Sequence, residues 1–216
     1  MLQKILTELA KTNTTLVAVS KTKPVSAIQT MYDEGQRIFG ENRVQELVEK
    51  EAVLPKDIEW HQIGHLQTNK VKYIAPFVSL IHAVDSLKLL KEINKQAAKN
   101  DRVIDCLLQF HIAEESSKFG FDEAEVTTIL ESEAFKQFQN IRIIGVMGMA
   151  TFTNDEVQVK QEFGHLKNIF DTLKSTFFPT DNYFKEISMG MSGDYQLAVE
   201  EGSTMVRIGS LLFGSR

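Results

Sequence analysis

The chain has 216 residues, room for one large α/β domain or two small ones. Hydrophobic residues make up 43% and charged residues 25%, enough for a real core, and a net charge of −5 without a basic run gives no support for a nucleic-acid partner. No apolar run reaches membrane-spanning length, the N-terminus lacks a secretory apolar core, and the single cysteine, Cys106, sits in an apolar run, so a cytoplasmic, reducing location is expected.

Residues 1–9 place apolar side chains at helical spacing and predict a helix ahead of the first strand. Short apolar runs then predict strands at 16–20, 37–40, 59–63, 78–83, 103–111, 142–147, 184–189 and 205–208. Helical patterns fill the gaps. Pro24 opens a helix with the stripe Val25, Ile28, Met31 and Tyr32, and Gly35 ends it. Asp85 or Ser86 caps the helix carrying Leu87, Leu90, Ile93 and Ala97. Asp122 precedes Val126, Ile129 and Leu130. Asn154 precedes a long helix with Val159, Phe163, Leu166, Phe170 and Leu173, closing near Pro179. Ser192-Gly193-Asp194 starts a short helix that ends at Gly202. Such regular alternation calls for a parallel sheet, and about eight units predict a single (β/α)8 barrel of the TIM type over residues 1–216, with an extra N-terminal helix. An open doubly wound sheet is the alternative, but no Gly-x-Gly-x-x-Gly follows the first strand.

In such a barrel the chemistry gathers at the carboxyl ends of the strands. The first strand ends at Lys21. An ammonium group at that place either snorkels to water or serves as a Schiff-base nucleophile toward a carbonyl. Asn42 follows the second strand and His65 the third. Each can hydrogen-bond a bound ring, or equally cap a helix. Ser188 and Ser192 follow the seventh strand, and Arg207, Gly209 and Ser210 end the eighth. Barrels often bind phosphate with the loops after these last two strands. There Ser192 can cap the next helix and offer its hydroxyl, Gly209 lets backbone approach closely, and Ser210 adds a donor. Arg207 is expected to face the same cavity, against the commoner fate of a strand arginine in an ion pair. His61, His82 and His111 show no metal spacing, and no metal site is expected.

A lysine, a phosphate cup and an arginine around one mouth suggest a phosphorylated aldehyde, and pyridoxal 5′-phosphate (PLP) fits. A carboxylate at the pyridine nitrogen would keep it protonated and make the ring a strong electron sink. An arginine leaves it unprotonated and the sink weaker.

Five segments carry a resemblance. They are Ala18-Val19-Ser20-Lys21-Thr22-Lys23-Pro24, Phe39-Gly40-Glu41-Asn42-Arg43-Val44-Gln45-Glu46, Trp60-His61-Gln62-Ile63-Gly64-His65-Leu66-Gln67-Thr68-Asn69-Lys70, Ser188-Met189-Gly190-Met191-Ser192-Gly193-Asp194 and Gly202-Ser203-Thr204-Met205-Val206-Arg207-Ile208-Gly209-Ser210-Leu211-Leu212-Phe213-Gly214. In this order they resemble the pyridoxal phosphate homeostasis protein family. The resemblance implies one barrel similar to that of alanine racemase and PLP held as a Schiff base on Lys21. It also implies Arg207 at the pyridine nitrogen, and the phosphate on the Gly209 N–H and the serines Ser192 and Ser188. It implies a carrier or buffer of PLP without established turnover. Gln109-Phe110-His111 departs from the family's Gln-Val-Asn, whereas Glu115 and Lys118-Phe119-Gly120 still resemble its Glu…Lys-x-Gly. A PLP-dependent racemase or decarboxylase is the alternative, although racemisation needs a second base on the far ring face. The expected partners are PLP and PLP-dependent apoenzymes, with no nucleic acid and no membrane, and the chain is expected to be a monomer.

Overall fold

The computed structural model describes residues 1–114 and 119–214. Its strands are β1 (Thr15–Val19), β2 (Ile38–Glu41), β3 (Glu59–Gln62), β4 (Leu80–Val84), β5 (Ile104–Gln109), β6 (Ile141–Met147), β7 (Glu186–Ser188) and β8 (Met205–Ile208). They pair in chain order, all parallel, and β8 returns to β1 to close the barrel. The predicted runs overlap all of these strands, and the (β/α)8 expectation holds. The helices are α1 (Leu2–Leu9), α2 (Val25–Asp33), α3 (Val44–Val53), α4 (Val71–Ile74), α5 (Leu87–Ala98), α6 (Glu123–Glu131), α7 (Glu133–Lys136), α8 (Glu156–Thr176), α9 (Tyr195–Glu200) and α10 (Ser210–Phe213).

Two apolar layers follow from the two-residue period of a strand. Val17, Leu80, Ala83, Leu107, Met147 and Met205 fill the barrel interior. Ala18, Phe39, Trp60, Ile81, Val206 and Ile208 belong to the larger core between barrel and helices. Phe39, Trp60, Phe163 and Phe184 are fully buried there, and removing one such ring costs about 3–5 kcal/mol.

The extra helix has a definite task. After β8 the described residues form the four-residue α10, too short to cover the outer faces of β8 and β1. Helix α1 buries Leu2, Ile5 and Leu9 on one face. Gln3 Nε2 bonds the Glu34 carbonyl after α2 at 3.0 Å, and Glu8 Oε2 accepts from the Tyr195 hydroxyl of α9 at 3.0 Å. It thereby fills the gap in the helical ring.

Helix boundaries follow the predicted caps with three corrections. Ser86 caps α5, and Asp122 forms a reciprocal capping box with Glu125 on α6. At α2, Pro24 stands one position earlier than expected, as the extended residue before Val25. Gly35, at φ +105°, closes that helix by sending its N–H to Tyr32 O while the Gln36 N–H reaches Met31 O. At α8, Asp155 rather than Asn154 is the cap, because its carboxylate reaches the N–H groups of Val157 and Gln158. At α9, Ser192 is not the cap. Asp194 holds that place, and its carboxylate turns back to the Met191 N–H. Among the described residues no helix is long and apolar enough to cross a membrane.

Candidate functional site at the barrel mouth

Strand alternation aims Lys21. Val17 lies in the interior cluster and Ala18 in the outer core, so Val19 and Lys21 fall on the inner side and Ser20 on the outer. The contacts of Ser20 agree. Its hydroxyl donates to Glu41 Oε1 at 2.6 Å, and its carbonyl accepts from Lys50 Nζ of α3 at 2.8 Å. The same Lys50 ammonium reaches Glu41 Oε1 and Glu46 Oε1, each at 2.7 Å. Glu46 in turn accepts the N–H of Thr22. Both neighbours of Lys21 are therefore clamped from outside the barrel, and Thr22 is bent into the left-handed region at φ +64°. Burial pushes the Glu41 carboxyl up, against the opposing pull of its hydrogen bonds from Lys50 and Ser20. Its second oxygen, Oε2, is buried without a partner.

Lys21 itself is half-buried and has no hydrogen bond or ion pair among the described residues. The nearby Lys23 differs. Its Nζ donates to the carbonyls of Phe213 and Gly214 at 3.0 and 3.1 Å. Of the two amines, Lys21 is the one left for chemistry.

Beside Lys21 lies the end of β8. The register Val17↔Arg207 and Ala18↔Ile208 sets Gly209 opposite Val19. A Cβ added to Gly209 would come within 3.2 Å of Val19 O and 3.3 Å of Val19 Cβ, so the backbone there passes closer than a side chain tolerates easily. The Gly209 N–H donates to Ser192 Oγ at 3.2 Å. That hydroxyl is engaged across the mouth rather than on its own helix, and it marks where the N–H aims. Ser210 is exposed and opens α10. Asn42 is half-buried on the neighbouring β2, two residues beyond the inward Gly40, with its backbone packed against Gly64 and its carbonyl bonded by Gln62 Nε2 at 2.9 Å.

Two expected site residues have other partners. His65 is exposed, its Nδ1 3.0 Å from Asp85 Oδ2 and its ring against Phe119, so the structure does not group it with Lys21 and Gly209. Ser188 is fully buried and serves Arg207 instead of facing a phosphate. Its Oγ accepts from Arg207 Nη1 at 2.6 Å, and Arg207 Nη2 donates to the Gly148 carbonyl at 3.0 Å. Arg207 is buried, which pulls its pKa down to about 10, with Asp194 pulling the other way, so it stays a cation at neutral pH. No carboxylate hydrogen-bonds it among the described residues, so it does not end in the ion pair expected of a strand arginine. Glu115 and Lys118 lie outside the described residues. Among those described, no group of three or more His, Cys, Asp or Glu side chains is arranged to hold a metal.

The alanine racemase N-terminal domain family model matches residues 2–216. The pyridoxal phosphate homeostasis protein of Aquifex aeolicus is 39% identical over 93% of this chain and 86% of its own. The chain belongs to the pyridoxal phosphate homeostasis family. PipY of Synechococcus elongatus, solved without PLP, superposes with a TM-score of 0.89 at 35% identity, covering 98% of this chain and 99% of its own. PipY solved with PLP bound gives 0.86 at 34% identity, over 99% of this chain and all of its own.

Within this family member the sequence reading missed four residues. Lys50 and Glu41 hold the Lys21 turn, and His82 and His61 stand behind Ser188. His82 Nδ1 lies 3.0 Å from Ser188 Oγ, and His82 Nε2 lies 3.0 Å from His61 Nδ1. A signal for the histidines existed. His61 follows the outward Trp60 and His82 the outward Ile81, so both fall on inward strand positions.

Proposed function

We propose that this chain binds PLP through Lys21 at the barrel mouth and acts as a cytoplasmic carrier or buffer of it, as one barrel domain over residues 1–216. On this reading it is a monomer, supplies PLP-dependent apoenzymes and has no turnover of its own. The observation that carries the reading is an inward amine, Lys21, without a partner among the described residues, one strand from a backbone cradle at Gly209 that a Cβ would crowd. PLP presents an aldehyde, a phosphate and a basic ring nitrogen, and the residues fit all three. Lys21 would take the aldehyde. The Gly209 N–H, the Ser192 hydroxyl and Ser210 would take the phosphate, where the Ser192 hydroxyl can turn from acceptor to donor. Arg207 would face the ring nitrogen with N–H donors left over from Ser188 and Gly148. Asn42, on the strand beside Lys21, would approach the ring, and His65 would have to leave Asp85 to do so. PLP on an enzyme supplies an electron sink, and a cation without a partner carboxylate at its nitrogen weakens that sink.

The tyrosines support a carrier over a racemase. Tyr32 bonds Asp57 at 2.7 Å, Tyr195 bonds Glu8 at 3.0 Å, Tyr183 lies beside Arg142, and Tyr73 lies beside Lys70 and Lys72. Tyr195 shares a cavity with Ser192, but its hydroxyl is held by Glu8, and among the described residues no tyrosine hydroxyl bonds Lys21, Ser192, Arg207 or Gly209, so the second base that racemisation needs has no tyrosine poised there.

Borohydride reduction of the PLP-loaded protein followed by peptide mass spectrometry tests the reading. The expected adduct lies on the peptide containing Lys21 and is lost, with the visible absorbance, in Lys21→Ala. An adduct that persists in that variant moves the anchor elsewhere. Racemase turnover that Lys21→Ala abolishes would replace the carrier reading with an enzymatic one.

A further inference from the structure

The upper layer of the barrel interior is polar, and its hydrogen bonds run in one direction. Arginine has donors and no acceptor, so Ser188 Oγ accepts from Arg207. The serine keeps its own proton, and His82 Nδ1 is the acceptor within reach at 3.0 Å. With Ser188 donating to its Nδ1, a neutral His82 carries its proton on Nε2 and donates to His61 Nδ1. That leaves the His61 proton on Nε2 as well. Burial holds both imidazoles neutral: it lowers the His61 pKa to about 3 and takes that of His82 well below its usual value, helped by His61 and Arg207. Neither ring can therefore repel the guanidinium beside it. The second fork of Arg207 ends on a carbonyl, Gly148 O, so both groups that hydrogen-bond the cation are neutral, and the Asp194 carboxylate acts on it only through space.

We propose that His82, backed by His61, is a positioning residue for Arg207: the chain Arg207–Ser188–His82–His61 aims the guanidinium at the barrel mouth without giving it a carboxylate partner. The inference rests on the reading that Arg207 faces the PLP ring. A carboxylate in place of Ser188 would draw the guanidinium into an ion pair and away from the mouth. A hydrophobe in place of His82 would leave the Ser188 proton without an acceptor and let the hydroxyl turn.

The test has two arms. In the ligand-free protein, nitrogen-15 NMR at neutral pH should find His82 and His61 both neutral with the proton on Nε2, and Ser188→Ala should remove that preference at His82. In the PLP-loaded protein, His82→Leu should weaken PLP retention about tenfold and shift the visible band, the scale of one lost buried hydrogen bond. His82→Asn keeps an acceptor near the Nδ1 position and should restore both. A His82 that carries its proton on Nδ1 or is cationic at neutral pH overturns the proposal. So does a folded His82→Leu protein with unchanged retention and band. If no Lys21 adduct forms in the unsubstituted protein, the PLP reading falls, while the NMR arm still decides the direction of the chain.

Discussion

Two polar clusters flank the barrel mouth, one outside β1 and β2 and one inside the barrel, and they are built on opposite principles. Outside, the Lys50 ammonium is buried between Glu41 and Glu46, and charge pairs grip the backbone on both sides of Lys21. Inside, Arg207 is gripped by a hydroxyl and a carbonyl, with two neutral imidazoles standing in line behind the hydroxyl. The outer cluster can use opposite charges because nothing it holds has to stay charged toward a ligand. The groups that hydrogen-bond Arg207 are neutral, so on the reading proposed above the guanidinium keeps its charge for a ligand. The contrast makes different predictions for what happens when each is cut.

The largest effect belongs to the outer cluster. Lys50→Met removes the cation, leaving the buried Glu41 carboxylate with only the Ser20 hydroxyl and the Ser20 carbonyl without its lysine bond, which should cost about 3–5 kcal/mol of stability. Adding Glu41→Leu should return most of that loss, because a buried pair replaced by apolar groups of similar size is often neutral. Urea unfolding of the two proteins at neutral pH measures the difference. The single variant should recover part of its stability in mild acid, since the stranded carboxyl, already pushed up by burial, takes a proton there. Equal stability of single and double variants would mean that Glu41 is not charged in the folded protein.

The inner cluster should show itself in pH dependence. His61 titrates near its ordinary value when unfolded and only at about 3 when folded. The unfolded chain therefore binds the extra proton between these values, and stability is lost as pH falls through that window, by about 1.4 kcal/mol per pH unit for such a histidine. His82 adds in the same direction. Denaturation of the protein and of His61→Gln between about pH 7 and about pH 5 should give a shallower slope for the variant. An identical slope would mean that His61 becomes charged in the folded barrel.

The same contrast explains what the sequence could show. The strands and the positions of Lys21 and Gly209 follow from local pattern, because a two-residue period and a glycine at a strand end leave marks within a few residues. Ser188 was read as a phosphate ligand, and its bond to an arginine 19 positions away leaves no mark in the local pattern. His61 and His82 stand 21 residues apart and meet only because β3 and β4 are neighbours in the barrel. Lys50 looks like any lysine on an amphipathic helix. Its burial is imposed by Glu41 pointing outward from the next strand, a fact that no helical period contains.

Thr22 offers the smallest and most discriminating test. It is β-branched and sits at φ +64°, where an L-residue loses about 1–2 kcal/mol relative to right-handed geometry. Its N–H is what Glu46 holds, and that bond depends on the backbone and not on the threonine side chain. Asparagine tolerates the left-handed region better, so Thr22→Asn should raise the unfolding free energy by about 0.5–1 kcal/mol. Covalent PLP retention should stay the same, because the clamp from Lys50 and Glu46 remains intact. A variant that is more stable but retains PLP less well would show that the threonine side chain, and not the charged clamp alone, sets the direction of Lys21. The outer cluster would then be a support for the turn, with its geometry decided by the residue that bends.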